Sequence, residues 1–278
     1  MKPLTILIAC VLLLAPFSQT HAAAPDTIVL TADSVQSAID IEAAILQATS
    51  GGARPGIVIL DGRGGPFEYA PEAEDVDINI FVSDLTLQGL YQARLSGGAI
   101  TLDGMELHNI TIEGLRMECP QDCITSSDGL HQNVTVRDNR LEAGNFGIDV
   151  GWTDGWIIKN NRVTAGGVAI HLTSTSGIKV HKNQAQGYVA VRLESTNDCQ
   201  ISRNDLSAEW QGVLLTGPSQ ANQVIANSIS GVQASGITLE WETLENKVHA
   251  NRVHCAASVS ECLVVQDLGT DNHIKGNR

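Results

Sequence analysis

Three observations predict an all-β solenoid, a single coil of about nine rungs built from short parallel strands. The first is a phrase that recurs from Asn133 to Arg278: apolar, any residue, apolar, two polar residues, Asn, any residue, apolar. NVTVRDNRL, GWIIKNNRV, GIKVHKNQA, CQISRNDLS, NQVIANSIS, NKVHANRVH and NHIKGNR put Asn139, Asn161, Asn183, Asn204, Asn227, Asn251 and Asn277 at steps of 22, 22, 21, 23, 24 and 26 residues. A fixed period in that range marks stacked repeats. The second is a phrase in phase with the first: GIDV (147–150), AIHL (169–172), AVRL (190–193), GVLL (212–215), GITL (236–239) and CLVV (262–265). Both alternate with a period of two, as half-buried strands do. The third is composition: 43% hydrophobic residues but only 4% aromatics, so Val, Ile, Leu and Ala must fill the core.

Physics selects the coil. A single unit can bury its apolar side only against its neighbours. Strands this short stack in parallel at roughly 4.8 Å per rung. Asn suits the recurring bend because it tolerates the left-handed region and its amide can pair with the same Asn one rung away. On these residues, Ser34 to Arg278 resembles the right-handed parallel β-helix of the pectin-lyase-like superfamily, single-stranded and all-β. The resemblance implies that IKV (178–180) and its equivalents form the sheet called PB2, that the stretch after each Asn is PB3, and that GIDV, AIHL and AVRL are PB1. In that family substrates lie along the outer PB1 face.

The N-terminal end reads in order. Residues 1–22 are expected to be a signal peptide: Lys2, an apolar run from Leu4 to Leu14, and a small-residue cleavage site ending at Ala22. The run is too short to span a bilayer, and no other transmembrane segment is expected. Residues 23–56 form an N-terminal segment whose helix, 34–49, caps the coil. Its N-cap is Asp33 or Ser34, and Val35, Ala38, Ile39, Ile45 and Leu46 make its apolar face. The β-helix occupies 57–278, with IVIL (57–60) as its first rung. Leu90 and Leu115 hold the slot that Asn takes later.

An acidic loop collects Glu72, Glu74, Asp75 and Asp77. Calcium is the one cofactor it suggests, but the spacing matches no ligand loop, and no cofactor is expected. The cysteines suit export. Cys119 with Cys123, and Cys255 with Cys262, read as disulfide staples across equivalent turns; a metal site is the alternative, and neither pair has a further Cys beside it. Cys199 falls in an inward column and should be a buried free thiol.

Thirty-one acidic residues face seventeen basic ones, a net charge of −14, which disfavours nucleic acid and anionic membrane surfaces as partners. The chemistry should lie on PB1. Alternation turns Asp149, His171 and Arg192 outward on consecutive rungs, within one column: Thr101, Thr125, Asp149, His171, Arg192, Leu214, Thr238, Val264. Glu194 lies beside Arg192. Trp152 and Trp241 sit just past PB1, and Trp210 just before it. Arg192 could pair with a sugar carboxylate while Asp149 or His171 moves a proton, with Glu194 and the tryptophans as substrate contacts. FGIDVG (146–151) is similar to the Tyr-Gly-Phe-Asp-Pro-His run of alginate C5-epimerases. That likeness implies an acidic role for Asp149 and a catalytic one for Arg192, although Phe146, Val150 and Gly151 depart from it.

Two readings follow: an exported protein, secreted or periplasmic, that binds and cleaves or epimerises an acidic polysaccharide or cell-surface glycan, or a non-catalytic β-helix scaffold. A basic PB2 stripe (Arg137, Lys159, Lys179, His181, Lys247, His249, Lys275) is either the ordinary polar face of a solenoid or a hold for an anionic polymer.

Overall fold

The computed structural model describes residues 24–68, 77–126, 129–258 and 262–278. The proposed signal segment, Cys10, Glu72, Glu74 and Asp75 lie outside them. Short strands pair in parallel from rung to rung. PB2 is an eleven-stranded sheet running from Asp26–Thr31 to His273–Lys275. PB3 and PB1 join into one sheet, because Gln184–Glu194 and Asp205–Thr216 pass from one to the other without a break. The register shifts between Gly187 and Val189, where that sheet turns its corner.

The core is a set of aliphatic columns. Val136, Ile158, Val180, Ile201, Val224 and Val248 pair in register and are fully buried. Ile124, Ile148, Ile170, Val191, Val213 and Ile237 make the matching PB1 column.

The asparagines form the expected ladder. The Asn161 backbone N–H and Nδ2 both donate to Asn183 Oδ1, at 2.9 and 3.1 Å, and Asn161 Nδ2 also donates to Val136 O at 2.9 Å. The pattern continues through Asn204, Asn227 and Asn251 to Asn277. At its start Leu115, lacking an amide, still donates its N–H to Asn139 Oδ1 at 3.0 Å. The reason given for Asn needs correcting, however. The left-handed residue is the one before it: Asp138, Asn160, Lys182, Arg203, Ala226 and Ala250, with φ of 57, 55, 57, 56, 54 and 56°. The ladder Asn is chosen for its amide. A second ladder, Asn222, Asn246 and Asn272, continues the column of Trp156, Ile178 and Cys199. Its signal in the sequence is an Asn five residues before Asn227, Asn251 and Asn277.

The N-terminal end differs from expectation in three ways. The helix is Ala38–Ala48 with Ser37 as N-cap. The Asp40 carboxylate accepts the Gln36 and Ser37 N–H groups at 2.8 and 3.0 Å, which fixes the start later, after a 3-10 turn at Ala32–Ser34. The buried face is Ala38, Ile41, Ala44, Ile45 and Ala48, while Ile39 and Leu46 face solvent. The small alanines let the helix lie close over the end of the coil, against Gly56–Asp61 and Ile78–Ile80. The coil itself begins before the helix, since Asp26–Thr31 pairs with Gly56–Asp61.

At the other end Thr238 pairs with Gln266, not with Val264, because the turn closed by Cys255–Cys262 takes up the extra residues of that repeat. Both staples are disulfides, with Cα–Cα distances of 5.4 Å for Cys119–Cys123 and 6.0 Å for Cys255–Cys262. Cys199 is a buried free thiol, and burial pushes its pKa up. Thiol alkylation of the native protein should therefore leave Cys199 untouched until denaturant is added. Peptide mapping that finds it disulfide-bonded or rapidly labelled would contradict the inward assignment.

Candidate functional site on the PB1 face

The predicted column exists. Asp149 pairs with His171, and His171 with Arg192, on three consecutive rungs. Inward Ile148, Val150, Ile170 and Leu172 anchor the strands, so the intervening side chains must project outward. His171 Nδ1 lies 2.9 Å from Asp149 Oδ1, and His171 Nε2 lies 3.0 Å from Thr173 Oγ1. A carboxylate can only accept, so Nδ1 carries a proton, and in the neutral ring Nε2 is left to accept from the threonine hydroxyl. The Phe146 ring stacks on the imidazole at 5.1 Å and 24°, leaving the His171 side chain 12% exposed.

Arg192 Nη2 pairs with Glu194 Oε2 at 2.8 Å, and the same oxygen lies 3.7 Å from His171 Nε2. Arg192 Nε is buried without a hydrogen-bond partner. Asp149, His171, Glu194 and Arg192 thus form one continuous polar network in which the Arg192 side chain is 36% exposed. Sequence patterning does not single out Phe146 and Thr173 as site residues. Thr173 carries a usable signal: it lies two residues after His171, on the same face.

Beyond Arg192 the column loses its charge. Leu214 joins Phe146, Val168 and Val189 in a small apolar cluster separate from the core. Thr238 is buried, accepts from Gln211 Nε2 at 2.8 Å and pairs with Ser235 Oγ. Trp152 and Trp241 are 59% and 71% exposed. Trp152 holds φ at 54°, a conformation that costs a bulky residue energy. Trp210 stacks on Tyr188 with centroids 6.2 Å apart.

Two other surfaces are charged. A groove of about 1110 Å³ runs along PB3, lined by Glu118, Glu142, Thr164, Gln186 and Glu209 among others. Arg94, Arg116 and Arg140 pair with its carboxylates. On PB2, Arg137 pairs with Glu113, whereas Lys159, Lys179, Lys182 and Arg203 surround His181. Burial, and then these cations, hold the His181 pKa below its ordinary 6.5. The unfolded chain takes up this proton near that value, and the folded chain only at lower pH. Stability should therefore fall as pH drops below about 6.5, and His181→Gln should flatten that slope in thermal melts between about pH 6.5 and 5. A variant with an unchanged slope would show that His181 does not contribute.

No helix of the described residues is long and apolar enough to cross a membrane. The two disulfides fit an oxidising compartment.

Among solved structures, ORF18 of Geobacillus virus E2 is similar with a TM-score of 0.60 at 10% identity, covering 88% of this chain and 60% of that one. DFA-IIIase from Arthrobacter chlorophenolicus A6, in complex with DFA-III, has a TM-score of 0.53 at 12% identity, covering 87% and 79%. A single-site mutant of the periplasmic alginate epimerase AlgG has 0.52 at 11%, covering 80% and 74%. At such identities the likeness shows the fold alone, the right-handed parallel β-helix. A search of curated proteins finds no match. The family described as "Periplasmic copper-binding protein (NosD)" matches residues 88–277, well over half of the chain, and the protein therefore belongs to the NosD family.

Proposed function

We propose that this is an exported β-helix protein that binds an acidic polysaccharide on its outer PB1 face. Arg192 takes the carboxylate of a uronate, and the Asp149–His171 pair holds a proton acceptor beside it. The observation that carries this reading is the three-rung stack itself, with a part-exposed guanidinium on its arginine. A guanidinium so placed can pair with a carboxylate through charge-assisted hydrogen bonds.

The arrangement suits proton abstraction beside a carboxylate. His171 Nε2 takes the proton, Asp149 steadies the imidazolium, and Arg192 neutralises the charge that spreads into the sugar carboxylate. Loss of the neighbouring glycosidic oxygen then gives lysis, and return of a proton to the opposite face gives epimerisation. Retaining hydrolysis fits poorly: it needs carboxyl groups about 5 Å apart, whereas Asp149 and Glu194 stand two rungs apart with His171 between them. Binding without turnover is the second reading. It is favoured by Glu194, which already pairs with Arg192 at 2.8 Å and partly neutralises the charge that proton abstraction would draw on.

The family description names copper. Among the described residues no three His, Cys, Asp or Glu side chains come together as a metal site, so these residues do not fit a copper centre.

The test is calorimetric titration of an oligouronide. Arg192→Ala should weaken binding about 10- to 150-fold, the worth of a charge-assisted hydrogen bond at about 1.5–3 kcal/mol, while Lys179→Ala on PB2 leaves it unchanged. The opposite pattern would make the basic PB2 stripe the binding face. Turnover is followed by absorbance of unsaturated uronides and, for epimerisation, by proton NMR. If turnover occurs, Asp149→Asn and His171→Ala should lower it more than they lower affinity; with neither signal from the wild type, the second reading stands.

A further inference from the structure

We propose that the sugar chain runs along the strands, transverse to the coil axis, from a uronate at Arg192 to a neutral sugar on an aromatic subsite made by Tyr188 and Trp210. This rests on the PB1 reading above.

The subsite is built from adjacent rungs. Val189 pairs with Gln211, so Tyr188 and Trp210 occupy equivalent positions just ahead of PB1, where the sheet turns its corner. Their rings are parallel within 1°, and they remain 48% and 42% exposed. The equivalent positions on the flanking rungs are Gly167 and Ala234. The stack therefore stands clear of any larger neighbour in its own column. Aromatic faces held open to water on a rigid sheet suit the apolar C–H face of a pyranose.

A path joins this stack to the charged network. The cluster of Phe146, Val168, Val189 and Leu214 lies on the outer side of PB1, apart from the core, and Phe146 also stacks on His171. Tyr188 and Arg192 are four residues apart on one strand, a span of roughly 13 Å at about 3.3 Å per residue, room for a di- or trisaccharide. The axial path offers less. After Arg192 the outward column continues as buried Leu214 and Thr238, so no charged partner leads toward Trp241.

Charge also differs between the two ends. Arg192 supplies a cation at one end, with its side chain 36% exposed. At the other, exposed Glu209 adjoins Trp210 and repels a second carboxylate. The geometry fits a heteropolysaccharide of alternating uronate and neutral sugar better than a homopolymer of uronates.

The probes are a hyaluronan tetrasaccharide (alternating glucuronate and N-acetylglucosamine), the same tetrasaccharide with its carboxylates reduced, and trigalacturonate. Binding is read by calorimetry and by tryptophan emission, on variants whose melting curves match the wild type. The native tetrasaccharide should bind at least about tenfold tighter than trigalacturonate. Tyr188→Ala and Trp210→Ala should each weaken it about tenfold, with Trp210→Phe restoring most of the loss, and Trp152→Ala and Trp241→Ala should have no effect. The reduced probe should lose its sensitivity to Arg192→Ala and keep its sensitivity to Trp210→Ala. Dependence on Trp152 or Trp241 without dependence on Trp210 overturns the transverse path and leaves the PB1 reading intact. Dependence on Trp210 without dependence on Arg192 overturns the charge reading instead. Equal or tighter binding of trigalacturonate, or no binding of the tetrasaccharide, overturns the neutral subsite.

Discussion

Val180→Asp should abolish the cooperative melting transition. Val180 is fully buried in mid-column, paired with Ile158 on one side and Ile201 on the other. A carboxylate there has no cation within the core, and burying an unpaired charge, or the proton uptake needed to avoid it, costs several kcal/mol. Domains hold only about 5–15 kcal/mol in total. In a solenoid each rung is stabilised mainly by its two neighbours, so a failed central rung leaves two short stacks instead of one long one. Circular dichroism melts should show a broad, early loss of β signal. A transition within a few degrees of wild type would refute the register.

Asn183→Leu, close in size, should cost about 2–6 kcal/mol, as two buried donors lose their acceptor at about 1–3 kcal/mol each. Those donors are the Asn161 N–H and Nδ2, which share Asn183 Oδ1. Asn183 Nδ2 also leaves Ile158 O and Asn204 Oδ1. Urea denaturation measures the loss. A cost below about 1 kcal/mol would mean that the ladder only decorates a bend set by other forces.

Much of this was legible in the sequence, for a physical reason. Period-two alternation and a period near 22 residues leave the chain one coil to form, so the buried columns, the Asn139–Asn277 ladder and the outward run Asp149–His171–Arg192 could be counted off. Quantities that depend on torsion angles could not. The sequence does not reveal that Lys182, and not Asn183, takes the left-handed bend, and neighbouring Asn160 and Asn161 hide the distinction. The helix start is hidden because Ser34 and Ser37 are both good cap residues, and the decision lies with the Asp40 carboxylate. The Phe146–His171 stack and the Tyr188–Trp210 pair depend on side-chain rotamers around a corner that carries a register shift. The last rung slipped because its disulfide-closed turn differs in length from the preceding one.

The residues at the left-handed bends bear on how the coil forms in time. At Gly114, Asp138, Asn160 and Gly276 local preference agrees with the bend, since Gly, Asp and Asn visit this region readily. At Lys182, Arg203, Ala226 and Ala250 it does not, and such a conformation costs an ordinary residue roughly 1–2 kcal/mol. An isolated segment from the second group will not turn by itself; it turns when a finished neighbour presents Asn donors and carbonyls to dock on. Three such rungs stand together, at Leu115, Asn139 and Asn161, and are therefore the natural nucleus, whereas Gly276 stands apart at the last rung; closure spreads from the three toward Asn277, each rung serving as the template for the next. Pulsed hydrogen exchange during refolding would record this as protection appearing first near Val136 and Ile158 and last near Val248.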